Sequence, residues 1–559
     1  MPPPPSNIGP AMQEALALHA QGRLREAEKL FARVLKSAPG NFDALHLLGT
    51  IKAQNGQMGE ALRLITAALK INPRAPDAWV NLATVMHALK RDADALDCLD
   101  KALAIEPHDL QALQNRGSAL LSLNRAQDAL SCFERVVARM PRNGEALLNR
   151  GVAMAKLGRP DEALIDFDAA LAVVPGHPTA LYNRGNALLA LERPSEAIAD
   201  FDAALAAAPA HGNAWNNRGR ALQALNRHAE AAESFERSIA AQKDNPNAHF
   251  NRALALLTLG DLARGFAEYE WRWKRDGMTD TRNAYRRPLW LGEFPIANKT
   301  ILLHAEQGLG DTIQFARYVP LMARDGARVV LEVQSELKAL LATLEGVASC
   351  YARGETLPAY DLHCPLGSLP LACKTGPATI PANIPYLHAD AQRLSKWRPA
   401  LDALPGKRVA FAFAGHAQHA NDRNRSIEAK LLEPLLAVEG ISFVSIQREL
   451  RDSDAAWLAS HPNVTSLGGE LTDMADTAAV AALVDLVIAV DTSVVHLAGA
   501  LARPCWVMLP FTPDWRWTLN GEKSPWYPQT RLFRQPKVGD WQSVVAQIRD
   551  ALADFAGKP

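Results

Sequence analysis

The stretch 149–175, NRGVAMAKLGRPDEALIDFDAALAVVP, returns one period later as 183–209, NRGNALLALERPSEAIADFDAALAAAP. On both sides of it, Pro39, Pro73, Pro107, Pro141, Pro175 and Pro209 stand 34 residues apart, a spacing that marks tandem helical hairpins. Three further positions keep that phase. A small residue recurs at Gly49, Ala83, Gly117, Gly151, Gly185, Gly219 and Ala253, and another at Ala27, Ala61, Ala95, Ala129, Ala163, Ala197 and Ala231. A bulky apolar residue recurs at Phe31, Ile65, Leu99, Phe133, Phe167, Phe201 and Phe235. Small residues let two helices approach, and the bulky residue is expected to fill the groove between hairpins. Proline ends the second helix, because it donates no N–H and clashes with the preceding turn.

This pattern resembles the tetratricopeptide repeat family and predicts an α-solenoid of about eight repeats over residues 1–279. The last repeat departs from it: Gly265 replaces the small alanine and the closing proline is missing. Tyr269, Trp271 and Trp273 are expected to pack the end of the array against the C-terminal half of the chain, since a solenoid end needs a cover.

A polar ladder keeps the same period: Asn81, Asn115, Asn149, Asn183, Asn217 and Asn251. The resemblance places these on the first helices, which line the concave face. Amides there can donate to and accept from any peptide backbone; the alternative is that they bond neighbouring helices. The array is similar to that of the O-GlcNAc transferases, in which such a ladder implies a polypeptide acceptor. Arg116, Arg150, Arg184, Arg218 and Arg252 each follow an Asn and are expected to pair with acids of the adjacent helix, the alternative being a cationic stripe that favours acidic acceptors.

Beyond residue 279 the period stops. Residues 280–299 read as a connector. Short apolar runs then alternate with helical stretches, the pattern of parallel sheets with crossover helices. Strands are expected at Ile301–Leu303, Arg328–Val333, Arg408–Gly415, Ser442–Gln447, Leu486–Asp491 and Cys505–Leu509, with a helix over Thr312–Arg324. Residues 300–395 and 396–559 form two Rossmann-like lobes, which resemble a GT-B glycosyltransferase. A final helix over Trp541–Phe555 is expected to cross back to the first lobe, as is common in that fold. Gly308 and Gly310 lack the third glycine of a dinucleotide fingerprint, so a nicotinamide cofactor is disfavoured.

The segment DLVIAVDTSVVHLAGALARP, 485–504, sends an apolar strand into Asp491 and starts a helix at once. Thr492 and Ser493 supply hydroxyls and free N–H groups at that helix start, which suits a diphosphate; Asp491 can accept from sugar hydroxyls, and His496 lies one turn on. Asp491, Thr492, His496 and Ala498 match the D-[TS]-x-x-x-H-x-A motif of the family 9, ADP-heptose-type glycosyltransferases. The segment GLGDTIQFARYVPLM also resembles that family, and the resemblance implies Asp311 as the base. Glu306 and His304 are reserve bases. In the loop AGHAQHANDRNRS, Arg425 and Ser426 are candidates for the leaving diphosphate, as is Gln447 at the next strand end. Asp473, Asp476 and Thr477 either cap a helix or touch a ribose.

Lys plus Arg and Asp plus Glu number 60 each, so a general nucleic-acid binder is disfavoured. The N-terminus lacks a basic and then apolar leader, and no run suits a membrane span. Six scattered cysteines suggest a reducing cytoplasm. His363, Cys364 and Cys373 fit no zinc spacing, and Asp166 and Asp168 diverge within a repeat helix, so no metal is expected. The expected function is inverting, metal-independent transfer from a nucleotide-sugar donor to a protein acceptor, with no cofactor. A non-catalytic scaffold and a lipopolysaccharide-type transferase are the alternatives, and self-association is left open.

Overall fold

The computed structural model describes residues 8–275, 280–418 and 421–557. The leader reading at the N-terminus and the exact end of the array at Thr279 lie outside them. The chain forms two compact units, Met1–Ala210 and His211–Pro559.

In the first unit, twelve helices run from Ile8–Ala20 to Pro194–Ala207 as six hairpins. The two phased features of the sequence meet within each hairpin. A Cβ built on Gly117 would lie 2.5 Å from the Phe133 ring, on Gly151 2.7 Å from Phe167, and on Gly185 2.7 Å from Phe201. The bulky residue therefore sits on the glycine of its own hairpin, 16 positions earlier, and Phe133 and Phe167 share a core cluster with residues of the neighbouring hairpins. Each hairpin turn carries one left-handed residue, again 34 apart: Gly22, Gly56, Lys90, Asn124, Gly158 and Glu192. The next N–H along the chain closes the helix end, as from Arg159 to the Met154 carbonyl at 3.0 Å.

The phased arginines pair as expected. Arg150 meets buried Asp166 at 2.6 Å, Arg184 meets Asp200 at 2.6 Å and Asp168 at 2.7 Å, and Arg116 meets Asp100 at 2.7 Å. Asp166 and Asp168 are thus spent on two different arginines.

The second unit opens with two more hairpins, Gly212–Ala224 with His228–Ala241 and Pro246–Thr258 with Leu262–Tyr269. It continues into two parallel sheets. The first holds β1 (Thr300–His304), β2 (Arg328–Val333), β3 (Val347–Ala352) and β4 (Leu362–Pro365) in the order β3-β2-β1-β4. The second holds β5 (Lys407–Ala412), β6 (Ile441–Ser445), β7 (Thr465–Ser466), β8 (Leu486–Val490), β9 (Cys505–Leu509) and β10 (Thr530–Arg534) in the order β10-β9-β8-β5-β6-β7. The order reverses at β1/β4 and at β5/β8, and ligand crevices open at such switch points beyond the strands' carboxyl ends.

Two expectations are corrected. The helix expected over Thr312–Arg324 is two helices, Leu309–Ala316 and Val319–Arg324, because Pro320 cannot donate within a continuous helix. The final helix, Trp541–Ala556, does not cross back: Val544, Ile548 and Leu552 are buried in one apolar cluster with Val409, Phe411 and Phe443 of the second sheet. The repeats continue past the division between the two compact units at Ala210 and His211, and the last two hairpins share a core with the sheets. Phe266 meets Trp515 and Trp526 edge-on at 5.6 and 6.4 Å, and Leu257, Leu262 and Tyr269 are buried in the cluster that holds Leu303, Ile313 and Trp517.

This packing can be tested at two places. Gly151→Ala should cost about 1–3 kcal/mol in chemical denaturation through overpacking, and Phe167→Leu in the same chain should recover part of it; an unchanged midpoint would remove the pair as a constraint. A chain starting at His211 should yield a protease-resistant core, whereas one starting at residue 280 should not, because Trp515 and Trp526 lose their cover; equal resistance of both would show that the last two hairpins are not part of that core.

Candidate functional site

Asp311 lies in the first turn of the Leu309–Ala316 helix, where Oδ2 accepts from the Gly308 N–H at 3.1 Å. Its Oδ1 is gripped by Nη2 of Arg516. Arg516 is buried, donates through Nη1 to Asp514 at 2.8 Å and through Nε to Gln314, and lies 4.4 Å over the Trp515 ring. Two carboxylates and an amide therefore surround one cation, which burial alone would disfavour and which Asp514 and Asp311 hold in its charged form.

The end of β8 supplies the other side. The Asp491 carbonyl accepts from Arg425 Nη1 at 3.1 Å, and the Arg425 guanidinium lies against Gly415, where a Cβ would sit 2.5 Å from it. The loop after β5 and the end of β8 are thereby joined at the β5/β8 switch point. The Thr492 hydroxyl is buried with no partner among the described residues, beside the open N–H groups that begin the Ser493–Ala500 helix. His496 is buried on that helix and shares a hydrogen bond of 3.1 Å with the Tyr527 hydroxyl. A Cβ on Gly310 would lie 2.7 Å from the His496 ring, so glycine lets the two helix starts touch. Burial, reinforced by Arg516 and Arg317, holds His496 well below the ordinary histidine range; it is a neutral ring at neutral pH.

Burial, and then the neighbouring Asp514 carboxylate, push the Asp491 carboxyl up to about 7, against the pull of Trp517, Arg516 and Arg425. Asp491 and Arg516 are thus linked by Asp514, and the cluster runs from β1's turn to β8.

Other sequence candidates are employed otherwise. Gln447 uses all its capacity: Oε1 accepts from the Phe413 and Ala414 N–H groups at 3.0 and 3.1 Å, and Nε2 donates to the Ala414 and Glu449 carbonyls at 3.0 Å each. It shapes the loop after β5 and has nothing left for a phosphate. The Ser426 hydroxyl donates to Asp422 at 2.6 Å and accepts from the Gly415 N–H at 2.8 Å, a structural use in place of the diphosphate contact. In that loop, His419 and Ala420 lie outside the described residues. Asp473 caps its helix by accepting from the Asp476 N–H at 2.9 Å, and Asp476 is buried against Thr472, Trp397 and Arg393. Helix capping and packing account for the hydrogen bonds of this pair. Thr477 Oγ1 turns back on the Asp473 carbonyl.

The reserve bases are buried. Glu306 is paired with Arg272 at 3.0 Å and accepts from the Gly367 N–H at 3.2 Å. His304 lies 3.2 Å from His363 and stacks on Tyr285 at 4.0 Å; burial and His363 push it down to about 3. His304 Nδ1 is buried with no hydrogen-bond partner among the described residues. His363 is spent on His304, and all six cysteines are free thiols.

In the Asn ladder, Asn81 bonds His46 at 2.8 Å, Asn115 bonds Gln111 and Thr84, and in the second unit Asn251 bonds Asn216 at 3.0 Å. Asn217 accepts from Asn216 at 3.0 Å. Asn149 and Asn183 make no side-chain hydrogen bond among the described residues, and both are half-buried. The ladder is therefore partly a tie between helices and partly available.

Models of the tetratricopeptide repeat match residues 18–67, 52–116, 115–178, 156–212, 182–246 and 216–277. Residues 18–277 are tetratricopeptide repeats. The chain is 27% identical over 324 residues to Protein FlbA of Caulobacter vibrioides, covering 54% of each protein, so it spans about half the length of that relative. Similar solved structures are a tetratricopeptide repeat protein from Parabacteroides merdae, at 20% identity over 44% of this chain and 98% of that one with a TM-score of 0.37, and the protein TTC0263 from Thermus thermophilus, at 23% identity over 33% and 100% with a TM-score of 0.29. No helix among the described residues is long and apolar enough to cross a membrane.

Sequence reading missed Arg516 and Asp514. The signal for them was local: PDWRW, 513–517, places a helix-capping Asp and a cation between two tryptophans.

The raised Asp491 has a consequence for pH. A carboxyl whose folded pKa lies above its ordinary value of 3.8 contributes stability below pH 4 and loses it as pH rises through about 7. Asp491→Asn stays neutral throughout. Its melting temperature relative to wild type should therefore climb between pH 4 and 7; a constant difference across that window would show an Asp491 carboxyl already charged in the fold.

Proposed function

We propose that this chain transfers a sugar from a nucleotide-diphosphate donor to a hydroxyl of a polypeptide held by its repeats. The reading rests on the convergence of Asp311, Arg516, Asp491 and Arg425 beyond the ends of β1, β5 and β8, beside a helix start with an unused hydroxyl at Thr492. The GT-B resemblance of the lobes supports it by analogy of fold.

In this reading the donor diphosphate lies against the first N–H groups of the Ser493–Ala500 helix and the Arg425 guanidinium. These oriented dipoles and this charge stabilise the departing nucleoside diphosphate. The Asp491 carboxyl accepts from a sugar hydroxyl. Asp311, held in place by Gly308 and Arg516, takes the proton from the acceptor hydroxyl. That oxygen bonds to the anomeric carbon as the carbon–diphosphate bond breaks, with inversion. His496, kept neutral, supplies a donor or acceptor and no charge.

Asp311→Asn should lower transfer by about a hundred- to ten-thousand-fold, as loss of a general base commonly does, while donor affinity stays near wild type. Arg425→Ala should weaken both donor and free nucleoside diphosphate, and Asp491→Ala the donor alone. Transfer by Asp311→Asn at the wild-type rate would end its role as base.

A second reading is a non-catalytic scaffold, favoured by the way Arg516 and Gly308 already occupy both oxygens of Asp311. Failure of a panel of nucleotide sugars to bind the full chain would select it. Undiminished transfer to a glycan acceptor by the chain starting at His211 would instead favour a lipopolysaccharide-type acceptor.

A further inference from the structure

The loop after β9, residues 510–517, carries Asp514 and Arg516 to Asp311. At its far end Asp514 Oδ1 accepts from the Arg516 N–H at 3.0 Å and from Arg516 Nη1 at 2.8 Å, and the guanidinium reaches Gln314 and Asp311. Its near end is held by the repeats. Asn226 Nδ2 donates to the Phe511 carbonyl at 2.6 Å, and the Thr512 hydroxyl donates to the Ala224 carbonyl at 3.3 Å. Asn226 and Ala224 belong to the turn between the helices Gly212–Ala224 and His228–Ala241. Gln535 closes the other side, where Oε1 accepts from the Phe511 N–H and the Gly539 N–H at 3.1 Å each.

Asn226 stands at the left-handed position of its hairpin turn, with φ 59°, in phase with Gly22, Gly56, Gly158 and Gly260. Glycine serves such a position without strain and asparagine tolerates it, so the turn itself does not need the amide. Nδ2 is engaged on Phe511, and Oδ1 is buried with no partner among the described residues. Asn124, in the same phase, uses its amide within the array, accepting from Lys156 Nζ at 3.2 Å. The Asn226 side chain instead leaves the array for the loop after β9.

Only Pro513 separates Thr512 from Asp514, and its locked φ makes that link stiff. A shift at Thr512 is therefore passed to Asp514 and to the guanidinium that Asp514 orients. Trp515, next in the loop, meets Phe266 of the last hairpin. Two successive hairpins thus bear on the segment that holds Arg516.

We infer that Asn226 and Thr512 form a clamp by which the repeats set Arg516 against Asp311, which makes Asn226 a positioning residue for the transfer reaction. The inference rests on the reading of Asp311 as base, and its first test reads the loop itself, with no transfer involved.

Three variants of the full chain serve. N226G suits the left-handed turn and lacks the amide; T512V lacks the hydroxyl; T512S keeps it. In hydrogen exchange followed by mass spectrometry, amides of residues 510–517 and 308–316 should exchange roughly two- to tenfold faster in N226G and in T512V, as loss of one neutral hydrogen bond allows. T512S should match wild type, and the Pro246–Thr258 helix should keep its wild-type rate in all three, showing that the hairpins fold. N226G should lower kcat for transfer by a similar factor and leave the donor KM near wild type. In an Asp311→Asn background N226G should lower transfer no further, because both changes act on one carboxylate. Wild-type exchange at 308–316 in both N226G and T512V would overturn the inference. So would losses from N226G and Asp311→Asn that multiply in full, the mark of an amide that serves only packing. Faster exchange of both segments in a chain that turns over no nucleotide sugar would uphold the clamp and sink the transferase reading alone.

Discussion

One constraint underlies much of this molecule: a small residue and a large one, 16 positions apart, meet inside five of the helical hairpins, from Gly49 with Ile65 to Gly219 with Phe235. Where the large residue is phenylalanine in the central repeats the small one is glycine, because a Cβ would fall against the ring. The eighth hairpin holds the same phase with Ala253 and Tyr269. Tyr269 is therefore at once the repeat's packing residue and a member of the α/β core. A single side chain satisfies the solenoid's rule and carries a hydroxyl to the Gln307 turn. The array ends by becoming part of the domain it precedes, and its last exposed apolar face is covered by Trp515 and Trp526.

Arg516 organises the other end of that core. Burying a guanidinium is costly unless its donors are matched, and Asp311, Asp514 and Gln314 match them. The same residue thereby ties the turn after β1 to the loop after β9, from opposite sheets. Packing reinforces the tie, since Gly310 sits on His496. The positions of these groups are thereby set by the fold itself.

The aromatic run at Tyr269, Trp271 and Trp273 divides its work in a way that spacing alone did not reveal. Tyr269 and Trp273 are buried and flank Arg272, while Trp271 stacks on His249 at 3.7 Å with planes parallel. Arg272 in turn neutralises Glu306. A residue that reads as a reserve base at a strand end is consequently half of a buried ion pair. Strand ends gather polar residues for packing as well as for chemistry, and a linear pattern cannot separate the two.

Periodicity determined the repeats, their phase, the hairpin arginine pairs and the two-sheet character of the second half, because each is a local rule repeated along the chain. The strand ends at Val333 and Leu509 and the Asp491–Thr492–Ser493 turn were legible for the same reason: an apolar run stops and capping residues come next. What lay beyond local rules was partnership. Gln447 and Ser426 look free in sequence, yet backbone groups of distant loops consume them. Arg516 carries no motif, and its role exists only because residues 205 and 202 positions earlier fold against it. The core that the last two hairpins share with the sheets is likewise invisible to a 34-residue period. Sequence sets what each segment forms; which polar groups remain unspent is decided only when segments distant in the chain have been packed together.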